Sequence, residues 1–336
     1  PDNITKKKRP KIGLVFSGGG AKGFAYIGML RVFQEVGLPI DYIGGTSIGS
    51  IMGGLYAIGY SPEEIQKMIE NQDWDALLKD EIPRKYIAYE EKEFLEHSII
   101  SLPFKKRKVG LKSSMYKGQQ INLLLNRYFS PAWNISEFDK LPTPFLCVAA
   151  NLINGDAEVL RTGYLPMAVR SSMSIPGYFS PTHYNDMYLV DGGIVNNYPA
   201  GPVKEMGAEY LIGGDVQSGL CDTITELKSM TEIINQIIFF RSEAANKESD
   251  TLLNINIKFD VPAGMMDFTD YPKIVAYGDS LARAYQPQLK ALADSLNAIE
   301  KIEMKKHEAK PLEYIEIADV KYFGNKDMSL IYLNNY

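Results

Sequence analysis

The apolar positions of this chain change period several times, and the changes mark its elements. Residues 11–17 (KIGLVFS) form an unbroken apolar run ending in three glycines, the pattern of a short parallel strand buried on both faces. From Ala21 to Val36 the helical period takes over, with Ala25, Gly28, Met29, Val32 and Phe33 on one side. A second short strand at 41–44 runs into a small-residue helix over 48–58. Strand, glycine turn and helix, used twice, predict βαβ units and a parallel sheet. Further strands are predicted at 145–151, 158–162, 187–190 and 210–216, with helices at 62–71, 117–127, 165–172 and 223–247. Residues 271–300 keep the period through Ile274, Tyr277, Leu281, Ala284 and Tyr285, predicting one long amphipathic helix.

This pattern divides the chain into a polar, basic lead-in at 1–10, one α/β domain over 11–300, and a charged linker at 301–312. Residues 313–336 differ: YIEIADVKY alternates apolar and polar, and Phe323-Gly324-Asn325 makes a turn, as though a second domain were beginning. No internal repeat or low-complexity tract is present.

With 336 residues and 45% apolar side chains, the chain can bury a sizeable core. A net charge of −5 argues against a nucleic-acid partner. Cys147 and Cys221 lack metal-ligand spacing and read as small core residues or a free thiol. His97, His183 and His307 are too scattered for a histidine-rich metal site. No run approaches the roughly 20 apolar residues of a membrane-spanning helix. The chain opens at Pro1 without a methionine, which suggests a processed or shortened form and leaves room for an export signal once in front of it.

Three glycine-bearing blocks carry chemistry. Gly45-Thr46-Ser47-Ile48-Gly49 fits G-x-S-x-G between a predicted strand and helix. A serine there sits on a turn so tight that side chains at Gly45 or Gly49 would collide, and its hydroxyl is lifted to a helix N-terminus. Gly18-Gly19-Gly20-Ala21-Lys22-Gly23 follows the first strand, and successive glycines can turn their amides into a common space, as an oxyanion hole requires. Lys22 would add positive charge nearby. The same spacing of Gly18, Gly20 and Gly23 satisfies the dinucleotide fingerprint, which makes a dinucleotide-binding protein the rival. That fingerprint wants an acid at the end of the next strand, where this chain has Gly44-Gly45-Thr46-Ser47 and places Asp41 too early. A Walker A loop fails because Lys22 precedes Gly23 and not Ser or Thr. Finally, Asp191-Gly192-Gly193 ends a predicted strand, where a carboxylate can act as a base or close an Asx-turn. His183, in a loop-like stretch, is the one histidine that could complete a triad instead.

Taken together, GGGAKG at 18–23, GTSIG at 45–49, DGG at 191–193 and the block SSMSIPGYF at 171–179 resemble the patatin-like phospholipases. The resemblance implies a three-layer α/β/α sandwich with a mainly parallel central sheet. It also implies a Ser47–Asp191 dyad, an oxyanion hole of Gly18, Gly19, Gly20 and Lys22, and an acyl-enzyme. No metal or organic cofactor is implied, and the substrate would be phospholipid or another lipid ester. The family often carries arginine where Lys22 stands. YIEIADVKYFGNKDMSL resembles the opening of a POTRA module, which would make the chain the exported passenger of a bacterial outer-membrane protein. The expected location is then the bacterial cell envelope, with the cytoplasm as the alternative, and homodimerisation is a further expectation. From His97 to Ser136 no acidic residue occurs, while Lys105, Lys106, Arg107 and Lys108 cluster among apolar side chains. That cluster suits docking on anionic lipid, a mobile lid, or a solvated loop.

Overall fold

Five consecutive buried residues make β1 (Ile12–Phe16) the spine around which the other elements assemble. The computed structural model describes residues 8–81, 104–105, 108–109, 114–221, 223, 233, 236, 239–301 and 307–312. After β1 come a 3₁₀ turn (Gly20–Ala25), α1 (Tyr26–Val36), β2 (Tyr42–Thr46), α2 (Ile48–Ala57), α3 (Pro62–Glu70), α4 (Trp74–Leu78) and α5 (Gln119–Tyr128). Next stand β3 (Phe145–Asn151), β4 (Ala157–Leu160), α6 (Leu165–Ser172), β5 (Thr182–Tyr184) and β6 (Met187–Asp191). The last elements are α7 (Ala200–Glu205), β7 (Tyr210–Asp215), α8 (Ser242–Leu252), β8 (Ile255–Lys258), α9 (Tyr271–Ala284) and α10 (Gln286–Ile299).

The sheet runs β8-β7-β1-β2-β3-β6-β5, with β4 also paired to β3. Its first five strands are parallel, while β4, β6 and β5 join antiparallel. Side chains alternate between two faces, as the pleat demands. Ile12, Leu14 and Phe16 point into the larger core with α1 and α2, whereas Val15, Leu146 and Val148 meet Tyr198 and Val203 around α7. The architecture is therefore the expected three-layer α/β sandwich with a mainly parallel sheet. Cys147 is a free core thiol and Cys221 is also free.

Beyond the short elements α4, α7 and β5, which the pattern does not predict, several features differ from the sequence expectation. The helix expected over 271–300 is two helices, because Pro287 has no N–H to offer the Arg283 carbonyl and the chain restarts at Tyr285. The helix expected at 117 begins at Gln119, since Gly118 adopts a left-handed φ of 77° and Asp80 accepts the N–H groups of Gly118 and Gln120. Of the helix expected at 223–247, only scattered positions before Phe239 are described, and α8 runs past it to Leu252. The strand β8 went unpredicted.

The flanks are more anchored than their polarity suggests. Arg9 bonds both oxygens of Asp41 at 2.6 and 2.9 Å, and Asp41 also accepts the Ile12 N–H, so this acid pins the start of β1. In the linker region, His307 packs on the ring of Tyr56, the Ala309 N–H donates to the Gly59 carbonyl, and the Leu312 N–H donates to Ser130. Residues 1–7 and the POTRA-like stretch at 313–336 lie outside the described residues. So do the side chains of Lys105, Lys106, Arg107 and Lys108, although residues 104–105 pair with 108–109. Farther along the acid-free stretch, α5 enters the core through Ile121 and Leu125.

Phe145 is fully buried at the middle of the sheet, beside Phe138. Truncation to alanine is expected to remove about 3–5 kcal/mol of stability, seen as a lower urea midpoint at unchanged slope.

Candidate active site

The polypeptide reverses sharply between β2 and α2, and Ser47 takes the turn with φ 53° and ψ −124°. A non-glycine residue held there is strained and persists only because its surroundings enforce it. The two flanking glycines are part of that enforcement. A Cβ at Gly45 would lie 2.4 Å from the Gly49 carbonyl, and one at Gly49 would lie 2.6 Å from the Phe16 and Ser17 carbonyl oxygens. Ser172 completes the support: its hydroxyl accepts the Ser47 N–H at 3.0 Å and donates to the Val148 carbonyl at 2.5 Å.

Asp191 reaches Ser47 because of how β3 is shared. One edge of β3 pairs with β4. Its other edge pairs with β2 as far as Val148, opposite Thr46, and with β6 from Ala149, opposite Asp191. Two strands thus abut head to head on consecutive residues of a third, and the residue after one end faces the last residue of the other. The Ser47 hydroxyl donates to Asp191 Oδ2 at 2.7 Å, and the Gly193 N–H donates to Oδ1 at 2.7 Å. Asp191 is only 6% exposed. Burial pushes its carboxyl up to about 6, against the pull of the Ser47 and Gly193 hydrogen bonds and the Arg170 charge. Such a carboxylate is ionised at neutral pH and basic enough to take a proton from a serine hydroxyl.

The glycine loop lies against the same point, with Gly18 packed on the Ser47 Cβ. Its amides are not equivalent. Gly18 N–H is spent on the Asn197 carbonyl at 3.1 Å, and Ala21 N–H on Met265 at 2.8 Å. The N–H groups of Gly19 and Gly20 have no partner among the described residues, so Gly18 drops out of the expected set of free donors. Lys22 is not among the residues lining the cavity: its ammonium donates at 2.7 Å to the Oγ of Ser218, which does line it, and burial lowers the Lys22 pKa. The first turn after the glycines is 3₁₀, and its Ala21 amide is already used, which leaves no open α-helix terminus for a pyrophosphate.

Two cavities meet at Ser47. One, of about 70 Å³, is walled by apolar side chains of α2, α3, α4 and α5, among them Met52, Leu55, Trp74 and Leu125. The other, of about 440 Å³, is open and mixed, and holds Asp191, the glycine loop, Asn197, Gln217 and Asn246. Ser47, Gly20, Ile175 and Met266 line both. His183 stands on the strand β5 and not in a loop, exposed and edge-on to Tyr188, and among the described residues no histidine bonds Ser47 or Asp191. Among the described residues, no three His, Cys, Asp or Glu side chains cluster as a metal site requires. Ser172 and Asn197 were missed from sequence. The signal for Ser172 was a run of small polar residues, SSMS, at the end of a helix whose earlier positions, Arg170 apart, are apolar.

The profile of the patatin-like phospholipases matches residues 14–204, a stretch that contains the end of β1, both glycine turns and Asp191. The chain belongs to that family. A patatin-like phospholipase domain-containing protein of Caenorhabditis elegans, ZK370.4, is 32% identical over 209 residues, 62% of this chain and 14% of that protein. Lysophospholipase NTE1 of Meyerozyma guilliermondii is 29% identical over 207 residues, 62% of this chain and 13% of that protein. This patatin-like chain therefore spans only about a seventh of the length of these relatives. Among solved structures, VipD from Legionella pneumophila aligns with a TM-score of 0.41 and 15% identity, over 84% of this chain and 68% of that one.

Because Asp191 holds its proton more tightly when folded than when unfolded, protonation stabilises the native chain. The advantage is complete below the ordinary carboxylate range near pH 4 and is lost as the pH climbs through about 6. Asp191→Asn is expected to be more stable than the parent at about pH 8 by about 1–3 kcal/mol, with the gap closing near pH 4. Urea midpoints at the two pH values check this.

Proposed function

We propose that the domain is a serine acyl-hydrolase of lipid esters, working through an acyl-enzyme on Ser47. The single observation that carries this is the 2.7 Å hydrogen bond from Ser47 to a buried Asp191, placed where an apolar cavity meets an open one. Ser47 Oγ attacks the ester carbonyl while Asp191 takes its proton. The oxyanion that forms lies toward the Gly19 and Gly20 amides, where each good donor contributes about 3–4 kcal/mol. Asp191 then returns the proton to the departing alcohol, and the same carboxylate activates the water that releases the fatty acid. The acyl chain enters the apolar cavity, and the alcohol half of the substrate occupies the mixed cleft. The names of the family and of the lysophospholipase relative favour phospholipid or lysophospholipid as the ester.

Three further proposals rest on sequence alone. The cluster Lys105, Lys106, Arg107 and Lys108 contacts an anionic membrane surface; vesicle cosedimentation unchanged by removing all four charges would sink this. The POTRA-like pattern at 314–330 supports a location at the bacterial cell envelope; recovery only in the soluble fraction of source cells would end that reading. Homodimerisation is the third, and sedimentation at a single protomer mass would exclude it.

Ser47→Ala is expected to cut hydrolysis of p-nitrophenyl acyl esters by about 10⁴-fold or more, and a fluorophosphonate should label Ser47. In the parent, kcat/KM should rise with pH to a plateau with its midpoint near 6. Full activity in Ser47→Ala would refute the assignment.

A further inference from the structure

Arg170, in the last turn of α6, is among the largest fully buried side chains, only 2% exposed. Burial pulls its guanidinium down to about 10, which still leaves it charged at neutral pH. A buried arginine ordinarily meets a carboxylate fork to fork. This one does not: Nη1 donates to Ser174 Oγ, Nη2 donates to the Lys117 carbonyl at 3.2 Å, and the Phe179 ring lies 4.8 Å from its centre. Its Nε has no partner among the described residues.

What this cation holds is Ser174, and Ser174 holds Asp191. The Ser174 hydroxyl donates back to the Arg170 carbonyl at 2.8 Å, and the Ser174 carbonyl accepts the Asp191 N–H at 2.9 Å. We propose that Arg170 is a positioning residue for the Ser47–Asp191 pair, fixing the backbone of Asp191 through Ser174 and setting a positive charge behind its carboxylate. This rests on the acyl-hydrolase function proposed above.

The charges around the pair come from several elements. Asp191 and Asp80, in the turn after α4, both face Arg170, and their fields reach it. Glu243 of α8 lines the open cleft with Asp191, and Lys117 offers Arg170 only its carbonyl. In the reaction Asp191 passes from anion to acid and back. A fixed cation beneath it favours the anion, so the base is regained after each proton transfer.

The test is the rate at which a fluorophosphonate labels Ser47, followed from about pH 5 to about pH 9 in the parent, Arg170→Met, Arg170→Lys and Ser174→Ala. In Arg170→Met the midpoint of the rise should move to higher pH, with the rate recovering toward the parent at high pH. Arg170→Lys, which keeps the charge, should restore most of the midpoint. Ser174→Ala should slow labelling at every pH while leaving the midpoint in place. An unmoved midpoint in Arg170→Met, or a loss equal at all pH, overturns the proposal. If Arg170→Met does not fold, Ser174→Ala labelling at the parental rate overturns it. A parent that does not label at all defeats the acyl-hydrolase function instead.

Discussion

Everything in the site depends on β3 acting as a ruler. Residues 47 and 191 are far apart along the chain, yet their separation is set by two consecutive backbone positions, Val148 and Ala149, on whose shared edge β2 and β6 end. The spacing between a serine and its base is thereby tied to hydrogen-bond register, which shifts only in whole residues. Ser172 ties the same point from the helix side, since one hydroxyl joins the Ser47 amide to the Val148 carbonyl. Motions that tilt β3 carry both reacting groups with it.

Strain and burial oppose stability here, and the surrounding structure opposes them in turn. Ser47 occupies a backbone region costly to an ordinary residue, and Asp191 sits where a carboxylate is poorly solvated. The supports are the close-packed glycines of the elbow, the Gly193 amide on Oδ1, and the Arg170–Ser174 link beneath. A serine so placed is pre-aimed, and a carboxylate so placed is basic enough to deprotonate it yet ionised at neutral pH.

Much of this was legible in the sequence. The buried run before Gly18, the GTSIG turn and the DGG ending all stood out because tight turns restrict composition, and they point to Ser47 and Asp191 directly. The two-layer packing on the sheet followed from strand–helix alternation. What was not legible depends on contacts distant in sequence. Nothing local says that the Gly18 amide is taken by Asn197, or that the Lys22 ammonium is taken by Ser218. Arg170 looks like any basic residue near a helix end until its surroundings are known. The break at Tyr285 was visible as Pro287 but was outweighed by an apolar period that continues across it. In β8, Ile255 and Ile257 do alternate, but four residues are too few to stand out. The short pairs at 114–116 and 177–179 have no periodic signal.

The meeting of two unlike cavities at one hydroxyl has a consequence for traffic. The narrower compartment is lined by apolar side chains of α2, α3, α4 and α5, and under the proposed function it is the place for an acyl chain. The wider compartment holds Asp191 and the glycine loop. In a reaction through an acyl-enzyme the alcohol departs before the acyl group, and with two compartments meeting at Ser47 it could leave, and water arrive beside Asp191, without displacing the acyl chain.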